Sequence, residues 1–262
     1  MGLMDTFNYY YHDLADPRMR DRFLLNSIWY PIVILSIYFF IVLKLGPAYM
    51  KNRAAYKLNT FIKCFNIFHI FANAYLLINI SSCYPFLKVL ECRPIIYNTD
   101  HCGMLIAKLT YFAIWLKLID LTETVIYILR KKNNQVSILH LYHHTTTFLI
   151  VVVFSKYLTS DVVMLGPILN AFVHVIMYTY YLLSNFEGPI KQKIMPFKRY
   201  LTLLQMGQFI IVIAQFSLAL TYKHCEVPKW GIIVGLLNYI FNFCLFYSFY
   251  RKTYIDTKKK KV

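Results

Sequence analysis

The sequence predicts an all-α membrane protein with seven transmembrane helices, and three observations carry this prediction. Hydrophobic residues make up 58% of the 262-residue chain, and the mean hydropathy is +0.48, whereas soluble domains contain about 45–50% apolar residues. Seven apolar stretches approach or reach the roughly 17–25 residues that a helix needs to cross a bilayer. Lysine and arginine are concentrated between these stretches.

The seven predicted spans follow one another without a long linker or an internal repeat. We place them at Ile28–Leu45, Phe61–Ile80, Leu105–Leu129, Ser137–Ser155, Val162–Leu183, Leu201–Tyr222 and Gly231–Tyr250. No change of composition marks a domain boundary. We therefore interpret residues 1–262 as a single domain, with a membrane core at residues 27–250 and a basic cytosolic tail at residues 251–262.

The positions of lysine and arginine orient the predicted helices. The connections after the first, third and fifth spans, together with the C-terminal tail, hold more than twice as many basic residues as the segments on the opposite side. Because basic loops remain in the cytosol, we expect a lumenal N-terminus and a cytosolic C-terminus. The net charge of +16 is then explained by basic residues that fix the membrane topology and bind anionic ligands. The lipid bilayer is therefore an expected partner, and nucleic acid is not.

The C-terminal tail ends in a run of lysines followed by Val262. Lys259 and Lys260 stand at the fourth and third positions from the end, which matches the di-lysine retrieval signal of endoplasmic reticulum membrane proteins. The alternative is a solvated basic tail at an anionic membrane surface. We favour retrieval, which predicts a multi-pass protein of the endoplasmic reticulum membrane.

The fourth span contains the densest group of reactive side chains. His140, His143 and His144 are spaced i, i+3 and i+4, so they share one face of a helix. Imidazoles are costly in hydrocarbon and are expected to face the protein interior. We interpret the three residues, which we call the histidine box, as a catalytic site rather than as packing histidines.

Three other polar faces occur in the third, fifth and sixth spans. Each alone is compatible with hydrogen bonding between membrane helices, but together they lie toward the cytosolic ends, while the lumenal halves of the fourth and sixth spans are largely apolar. This pattern predicts a pocket for an amphiphile with an anionic head and a long tail. The residues on these three faces are Lys117, Asp120, Glu123 and Thr124; Asn170, His174, Met177, Tyr178 and Tyr181; and Thr202, Gln205 and Gln208. We interpret Asn66, His69 and Asn73 in the second span as structural.

Several reaction classes lack the residues that they need. A di-iron lipid oxygenase also uses a His-x-x-His-His box but needs about six or more ligands, and no second box occurs among the 8 histidines. There is no Gly-x-Ser-x-Gly motif, and Cys64 and Cys244 have no nearby base in sequence. Imidazole itself is therefore the expected reactive group, with no metal and no redox cofactor.

Four motifs resemble the family of very-long-chain fatty acid elongases, the membrane 3-ketoacyl-CoA synthases. Residues 117–124 resemble its Lys-x-x-Glu-x-x-Asp-Thr motif with the two acidic types exchanged, and residues 135–144 resemble its histidine box. Residues 170–181 match Asn-x-x-x-His-x-x-Met-Tyr-x-Tyr-Tyr, and residues 202–208 match Thr-x-x-Gln-x-x-Gln. The chain departs from the family at Ala55-Tyr56, where Pro-Phe is usual, and at Phe65-Asn66, where Tyr-Asn is usual.

The resemblance implies a fold and a reaction. Seven helices are expected, with helices two to seven forming a ring around an acyl-chain tunnel. The implied enzyme is a very-long-chain 3-oxoacyl-CoA synthase, which condenses a fatty acyl-CoA with malonyl-CoA, releases CO₂ and CoA, and yields a 3-ketoacyl-CoA two carbons longer. Expected partners are the 3-ketoacyl-CoA reductase, the 3-hydroxyacyl-CoA dehydratase and the enoyl-CoA reductase, and a homo-oligomer is possible.

Roles follow for particular residues. We expect His143 to accept the acyl group, with His140 and His144 fixing its tautomer and His174 stabilising the developing enolate or oxyanion. The resemblance favours a disulfide between Cys92 and Cys225, although the positions of the lumenal cysteines alone leave the pairing open. Cytosolic-side residues are expected to hold the CoA moiety, unless the basic ones only fix topology. The substrate-binding set is Lys117, Asp120, Glu123, Thr124, Asn170, Tyr178, Tyr181, Gln205, Gln208, Lys193, Lys198, Arg199 and Arg251.

Two other classes of protein remain as alternatives. A seven-helix receptor or transporter explains the architecture but not polar faces confined to the cytosolic half. An iron-dependent lipid oxygenase explains the histidines but lacks the ligands.

Overall fold

The computed structural model describes residues 2–85, 92, 94–159, 161–223 and 225–256. The protein is 79% helical, and the part of the chain that the structure describes contains no strand. Seven helices within it are long and apolar enough to cross a membrane, which confirms the predicted fold class. We number them α1 (Trp29–Met50), α2 (Asn59–Cys83), α3 (His101–Leu129), α4 (Ile138–Tyr157), α5 (Val162–Ser184), α6 (Pro189–Thr221) and α7 (Lys229–Ile255).

The helices extend beyond the predicted spans, most of all at α6. This helix begins at Pro189 rather than at Leu201, because a short helix at Pro189–Ile194 and a 3₁₀ turn at Met195–Phe197 precede its membrane segment Lys198–Thr221. Pro189 starts the first of these segments and Pro196 is the second residue of the other, positions that suit proline because its missing N–H would have no partner in the first turn of a helix. The residues of these turns are too hydrophilic for the sequence alone to assign them to a membrane span.

The chain forms two compact units that interleave in the sequence. The first comprises Met1–Lys57 and Pro94–Ser160 and contains α1, α3 and α4. The second comprises Leu58–Arg93 and Asp161–Val262 and contains α2, α5, α6 and α7. Because the chain passes between the units at three places, no single position in the sequence marks a boundary. The single domain and the ring of helices two to seven stay predictions.

Two helices of the first unit are irregular near their functional motifs. α1 adopts a π-helical turn at Ile41–Leu45 before Gly46. α3 consists of helices His101–Asp120 and Thr122–Leu129, with Leu121 between them. At this point Leu121 donates to the Leu118 carbonyl and Thr124 donates to the Leu121 carbonyl, both at 3.3 Å. Such local departures from α-helix often mark functional sites.

The N-terminal segment packs against the far ends of α3 and α4 in the first unit. The Arg18 guanidinium pairs with buried Asp16 at 2.7 Å and donates to the Asn98 and Gly103 carbonyls. Sequence analysis placed Lys156 just outside the fourth span, but α4 continues through it. Its amine is buried and donates to the Leu25 carbonyl at 2.6 Å. This end of the first unit is therefore less apolar than the sequence suggested.

A tyrosine completes this N-terminal packing. The Tyr11 hydroxyl donates to the Leu25 carbonyl at 3.0 Å, and the Lys156 amine lies 3.1 Å from the centre of the Tyr11 ring. Burial, with a smaller contribution from Tyr157, raises the pKa of Tyr11 to about 12. The hydroxyl therefore remains a hydrogen-bond donor at any physiological pH.

The second unit is built around α5, which packs against α2 and α6, and α6 packs in turn against α7. Gln215 on α6 donates to the Val162 carbonyl at 2.9 Å. A Cβ atom on Gly166 of α5 would collide with the Tyr239 hydroxyl on α7. The glycine therefore leaves room for the end of the Tyr239 side chain against α5.

A disulfide joins Cys92, after α2, to Cys225, before α7. Their Cα atoms are 5.0 Å apart, within the range of roughly 4.4–6.8 Å found in disulfides. This is the pair that the family resemblance implied. Cys64 and Cys244, in contrast, are free thiols on exposed helix surfaces.

We predict that a non-reducing peptide map of the protein in mild detergent will recover the Cys92 peptide joined to the Cys225 peptide. Cys64 and Cys244 serve as internal controls, because both should be alkylated without prior reduction. A map in which Cys92 is free, or is joined to Cys83 or Cys102, would contradict the assignment.

Candidate active site

The histidine box lies in the first two turns of α4, and a local cap fixes where that helix begins. The Ser137 hydroxyl accepts a hydrogen bond from the His140 backbone N–H at 3.2 Å. Serine is a favoured N-cap residue because it satisfies an N–H that has no intrahelical acceptor. The cap sets the register that places His140, His143 and His144 on a common face, as the sequence predicted.

A chain of three side chains connects α1, α3 and α4 within the first unit. The Tyr38 hydroxyl lies 2.7 Å from the Thr124 hydroxyl, and the Thr124 hydroxyl lies 3.0 Å from Nε2 of His140. Tyr38 is 6% exposed and Thr124 is fully buried. We call these three residues the α1–α3–α4 relay.

The donor direction along the relay follows from the buried phenol. Among the residues that the structure describes, the Tyr38 hydroxyl has one polar partner, Thr124. A buried hydroxyl proton without an acceptor is costly, so Tyr38 donates to Thr124. Thr124 then donates to His140, whose Nε2 accepts and whose proton resides on Nδ1. The relay thus assigns both the orientation and the tautomer of this imidazole.

The other box histidines lie against α3 and against each other. Nε2 of His144 is 3.6 Å from Oε2 of Glu123. The rings of His140 and His144 have centroids 4.1 Å apart, while the His143 ring stands edge-on to that of His144 at 5.6 Å. Thr124 and Glu123 of α3 therefore contact His140 and His144, respectively. His143, which stands between these two residues in the sequence, is half-buried.

One subset of these residues has the geometry of a metal site. Glu123, His140 and His144 each offer a ligand atom, and these atoms lie within 4.8 Å of one another. Three protein ligands suffice for a catalytic zinc ion. However, Nε2 of His140 already accepts from Thr124, so a metal would have to displace that bond or use Nδ1. The absence of a metal cofactor stays a prediction from the sequence.

Lys117 and Asp120 form an ion pair one turn before the break in α3. Their charged atoms are 3.0 Å apart, and both side chains are buried. A buried amine paired in this way is neutralised by its own helix rather than presented to a ligand. Lys117 and Asp120 are therefore engaged with each other, and their role in substrate binding stays a prediction.

The second unit brings its own motif residues together around Tyr178. This fully buried ring stacks on His69 of α2 at 4.4 Å and lies edge-on to His174 at 5.6 Å. The Tyr181 ring is 6.1 Å from it. His69, which sequence analysis interpreted as structural, is thus in direct contact with the Asn-x-x-x-His-x-x-Met-Tyr motif.

The polar residues of α6 face the same unit. Gln205 donates to the sulfur of Met177 on α5 at 3.3 Å. Thr202 and Gln208 are buried, and Asn170 is half-buried on α5. Two of the sequence motifs, at residues 170–181 and 202–208, therefore meet in this unit.

The basic residues assigned to CoA binding lie at one end of the second unit. Lys193 and Lys198 are exposed near the start of α6. The Arg199 guanidinium donates to the Tyr250 hydroxyl at 2.7 Å, and Arg251 pairs with Asp256 at 3.5 Å. The retrieval lysines, Lys259 and Lys260, lie outside the described residues.

Two site residues were missed by sequence reasoning. Tyr38 lies in an apolar first span, where a lone tyrosine gives no signal of contact with a residue far along the chain. His69 carried a weak signal, because Asn66, His69 and Asn73 share a helix face, but that pattern is also typical of structural hydrogen bonding.

The fold and the site geometry define a class of protein: a seven-helix membrane protein with a histidine site buried among its helices. The sequence profile of the ELO: GNS1/SUR4 family matches residues 23–262. The chain therefore belongs to this family. It is 34% identical to very long chain fatty acid elongase 4 of Mus musculus over 256 residues, covering 95% of this chain and 79% of that protein. It is also 34% identical to very long chain fatty acid elongase 4 of Homo sapiens (99% and 83% covered) and to very long chain fatty acid elongase 2 of Mus musculus (94% and 83% covered).

We predict that substituting Thr124→Val will shift the tautomer of His140 from Nδ1–H toward Nε2–H, because the donor to Nε2 is lost. Nitrogen NMR of histidine-labelled protein measures this change. Tyr38→Phe should shift it in the same direction and lower the free energy of unfolding by about 1 kcal/mol. Ser36→Ala, which removes an α1 hydroxyl bonded only to the Ile32 carbonyl, is the matched control. An unchanged His140 signal in Thr124→Val would disprove the relay.

Proposed function

We propose that this protein is the condensing enzyme of fatty acid elongation, a very-long-chain 3-oxoacyl-CoA synthase. It would join a fatty acyl-CoA to malonyl-CoA and release CO₂ and CoA. Membership of the family supports an enzyme of fatty acid elongation, and the observation that carries the chemistry is the histidine box held by Thr124 and Glu123. Imidazole is a competent acyl acceptor and leaving group.

In the proposed first step, a nitrogen of His143 attacks the thioester carbonyl. The carbon–sulfur bond breaks, the imidazole loses its proton to the departing thiolate, and an acyl-imidazole and free CoA result. His143 is assigned this role because the ring of His140 is fixed by the relay and His144 lies beside the Glu123 carboxylate. The two outer histidines thereby orient the middle one.

In the proposed second step, malonyl-CoA loses CO₂ and becomes an enolate. The enolate carbon attacks the acyl carbonyl, the carbon–nitrogen bond breaks, and the imidazole regains a proton. The product is a 3-ketoacyl-CoA two carbons longer. The role of His174 in stabilising the enolate stays a prediction, as do the three downstream enzymes as partners.

We infer an endoplasmic reticulum location with a lumenal N-terminus and a cytosolic C-terminus. The Cys92–Cys225 disulfide supports this orientation, because disulfides persist in oxidising compartments. Both cysteines lie in connections that would then be lumenal. The basic ends of α6 and α7 would face the cytosol, where CoA substrates are found.

One observation favours a second candidate function. Glu123, His140 and His144 are too few for the di-iron site considered above, but two histidines and one carboxylate would suit a lipid oxygenase with a single non-haem iron. Quantifying metal in protein purified without chelator distinguishes the two functions. A stoichiometric iron content, with activity that requires oxygen and no malonyl-CoA, would favour the oxygenase.

We predict that His143→Ala abolishes malonyl-CoA-dependent elongation and the release of CoA from acyl-CoA alone. His101→Ala, at the exposed start of α3, is the control and should retain activity. Thermal unfolding and the intact Cys92–Cys225 disulfide show that the variant folds. Condensation at the wild-type rate by folded His143→Ala would rule out this residue as the acyl acceptor.

We predict that reversing the charges of Lys198 and Arg251 to Glu raises KM for both CoA substrates about tenfold or more, because charge-assisted phosphate contacts of about 1.5–3 kcal/mol are lost. The matched control reverses Lys223 and Lys229, at the opposite ends of α6 and α7. It makes the same change in net charge and should leave KM unaltered. Equal effects in both double variants, or an effect on expression alone, would mean that these residues only fix topology.

A further inference from the structure

A crevice of about 450 Å³ lies in the first unit between the end of α1 and the end of α3. Five apolar side chains and three polar ones line it, and none of the lining residues carries a carboxylate. We call it the α1–α3 crevice. Its residues are Val42, Pro47, Met50, Lys51, Ile128, Lys131, Asn133 and Val136.

The crevice is positioned at a membrane boundary. α1 ends at Met50 and α3 ends at Leu129, and the two lysines follow these ends by one and two residues. The polar groups therefore lie at the level of lipid headgroups, while Val42 lies about two turns deeper in α1. Polar groups at the surface with apolar groups below them match a phospholipid, which has a polar headgroup and apolar acyl chains.

The walls of the crevice are held in place by backbone contacts. The Tyr56 N–H donates to the Leu129 carbonyl at 3.0 Å, which ties the segment after α1 to the end of α3. A Cβ atom on Gly46 would lie 3.1 Å from Ile128, so α1 and α3 are already in tight contact below the opening. One backbone hydrogen bond and one close helix contact thus hold the walls of the crevice together.

Lys131 occupies a backbone conformation that lysine rarely adopts. Its φ is +53°, in the left-handed region that usually requires glycine at the residue after a helix. Lys132 donates to the Tyr127 carbonyl at 2.8 Å and Lys131 donates to the Ile128 carbonyl at 3.0 Å, which completes a Schellman motif. A non-glycine residue in this conformation is a source of strain of the kind that clusters at ligand-binding sites.

We propose that the α1–α3 crevice binds an anionic phospholipid. The ammonium groups of Lys51 and Lys131 and the amide of Asn133 contact its phosphate, and an acyl chain lies along Val42 and Met50. Charge complementarity selects an anionic headgroup, because two cations and no carboxylate line the opening. The position at the membrane surface selects a lipid over a free phosphate. This binding site is independent of the reaction proposed for the histidine box.

The test compares full-length protein in vesicles of phosphatidylcholine alone with protein in vesicles of phosphatidylcholine and phosphatidylinositol. Mass spectrometry then measures the phosphatidylinositol retained after repurification in mild detergent. Lys131→Gly removes the charge and suits the left-handed conformation, so it should fold at least as well as the wild type. It should nevertheless lose retained lipid several-fold, and Lys51→Ser should do the same.

Lys132→Ser is the matched control, because it removes a neighbouring charge that does not line the crevice. It should retain phosphatidylinositol as the wild type does. Wild-type retention in Lys131→Gly overturns the proposal, and an equal loss in all three variants shows only diffuse attraction to the membrane surface. Displacement of the lipid by one equivalent of CoA would show that the crevice is instead a nucleotide site.

Discussion

The first unit depends on a single constraint: a polar side chain inside an apolar span must have a hydrogen-bond partner there. The alternative of exposing such groups to hydrocarbon costs several kcal/mol each. Tyr38, Thr124 and His140 meet this requirement together, across distances of 2.7 and 3.0 Å. For the three to meet, α1, α3 and α4 must pack at one point and α4 must begin at its Ser137 cap. His140 of the histidine box is thus positioned by the same bonds that hold the helices together.

The two units stabilise their histidines by different means. In the first, imidazole nitrogens face a hydroxyl and a carboxylate, groups that assign a tautomer and can exchange protons. In the second, His69 and His174 lie against the ring of Tyr178, which restricts their orientation through packing. An imidazole that must change its bonding during a reaction is better served by the first kind of environment.

The sequence predicts the positions of the helices well and the contacts between distant side chains poorly. Apolar stretches located all seven helices, and the i, i+3, i+4 spacing located the histidine box, because both are periodic and local. The Tyr38–Thr124 bond joins residues 86 positions apart, and no local pattern encodes such a contact. Lys156 was placed outside the membrane because composition cannot show that the Leu25 carbonyl receives its amine.

The exchange of acidic residues in α3 has a structural explanation. The family motif that this segment resembles has glutamate where Asp120 stands and aspartate where Glu123 stands. Asp120 reaches Lys117 one turn back at 3.0 Å, and the longer Glu123 extends toward His144 to 3.6 Å. Removing the partner of a buried charge costs about 3–5 kcal/mol, so the Asp120 carboxylate depends on the Lys117 ammonium. Glu123 lies beyond the break at Leu121, and its extra methylene lets the carboxylate extend from α3 toward the imidazole of His144 on α4. In this chain each carboxylate therefore has its own partner, the shorter acid within α3 and the longer acid across to α4.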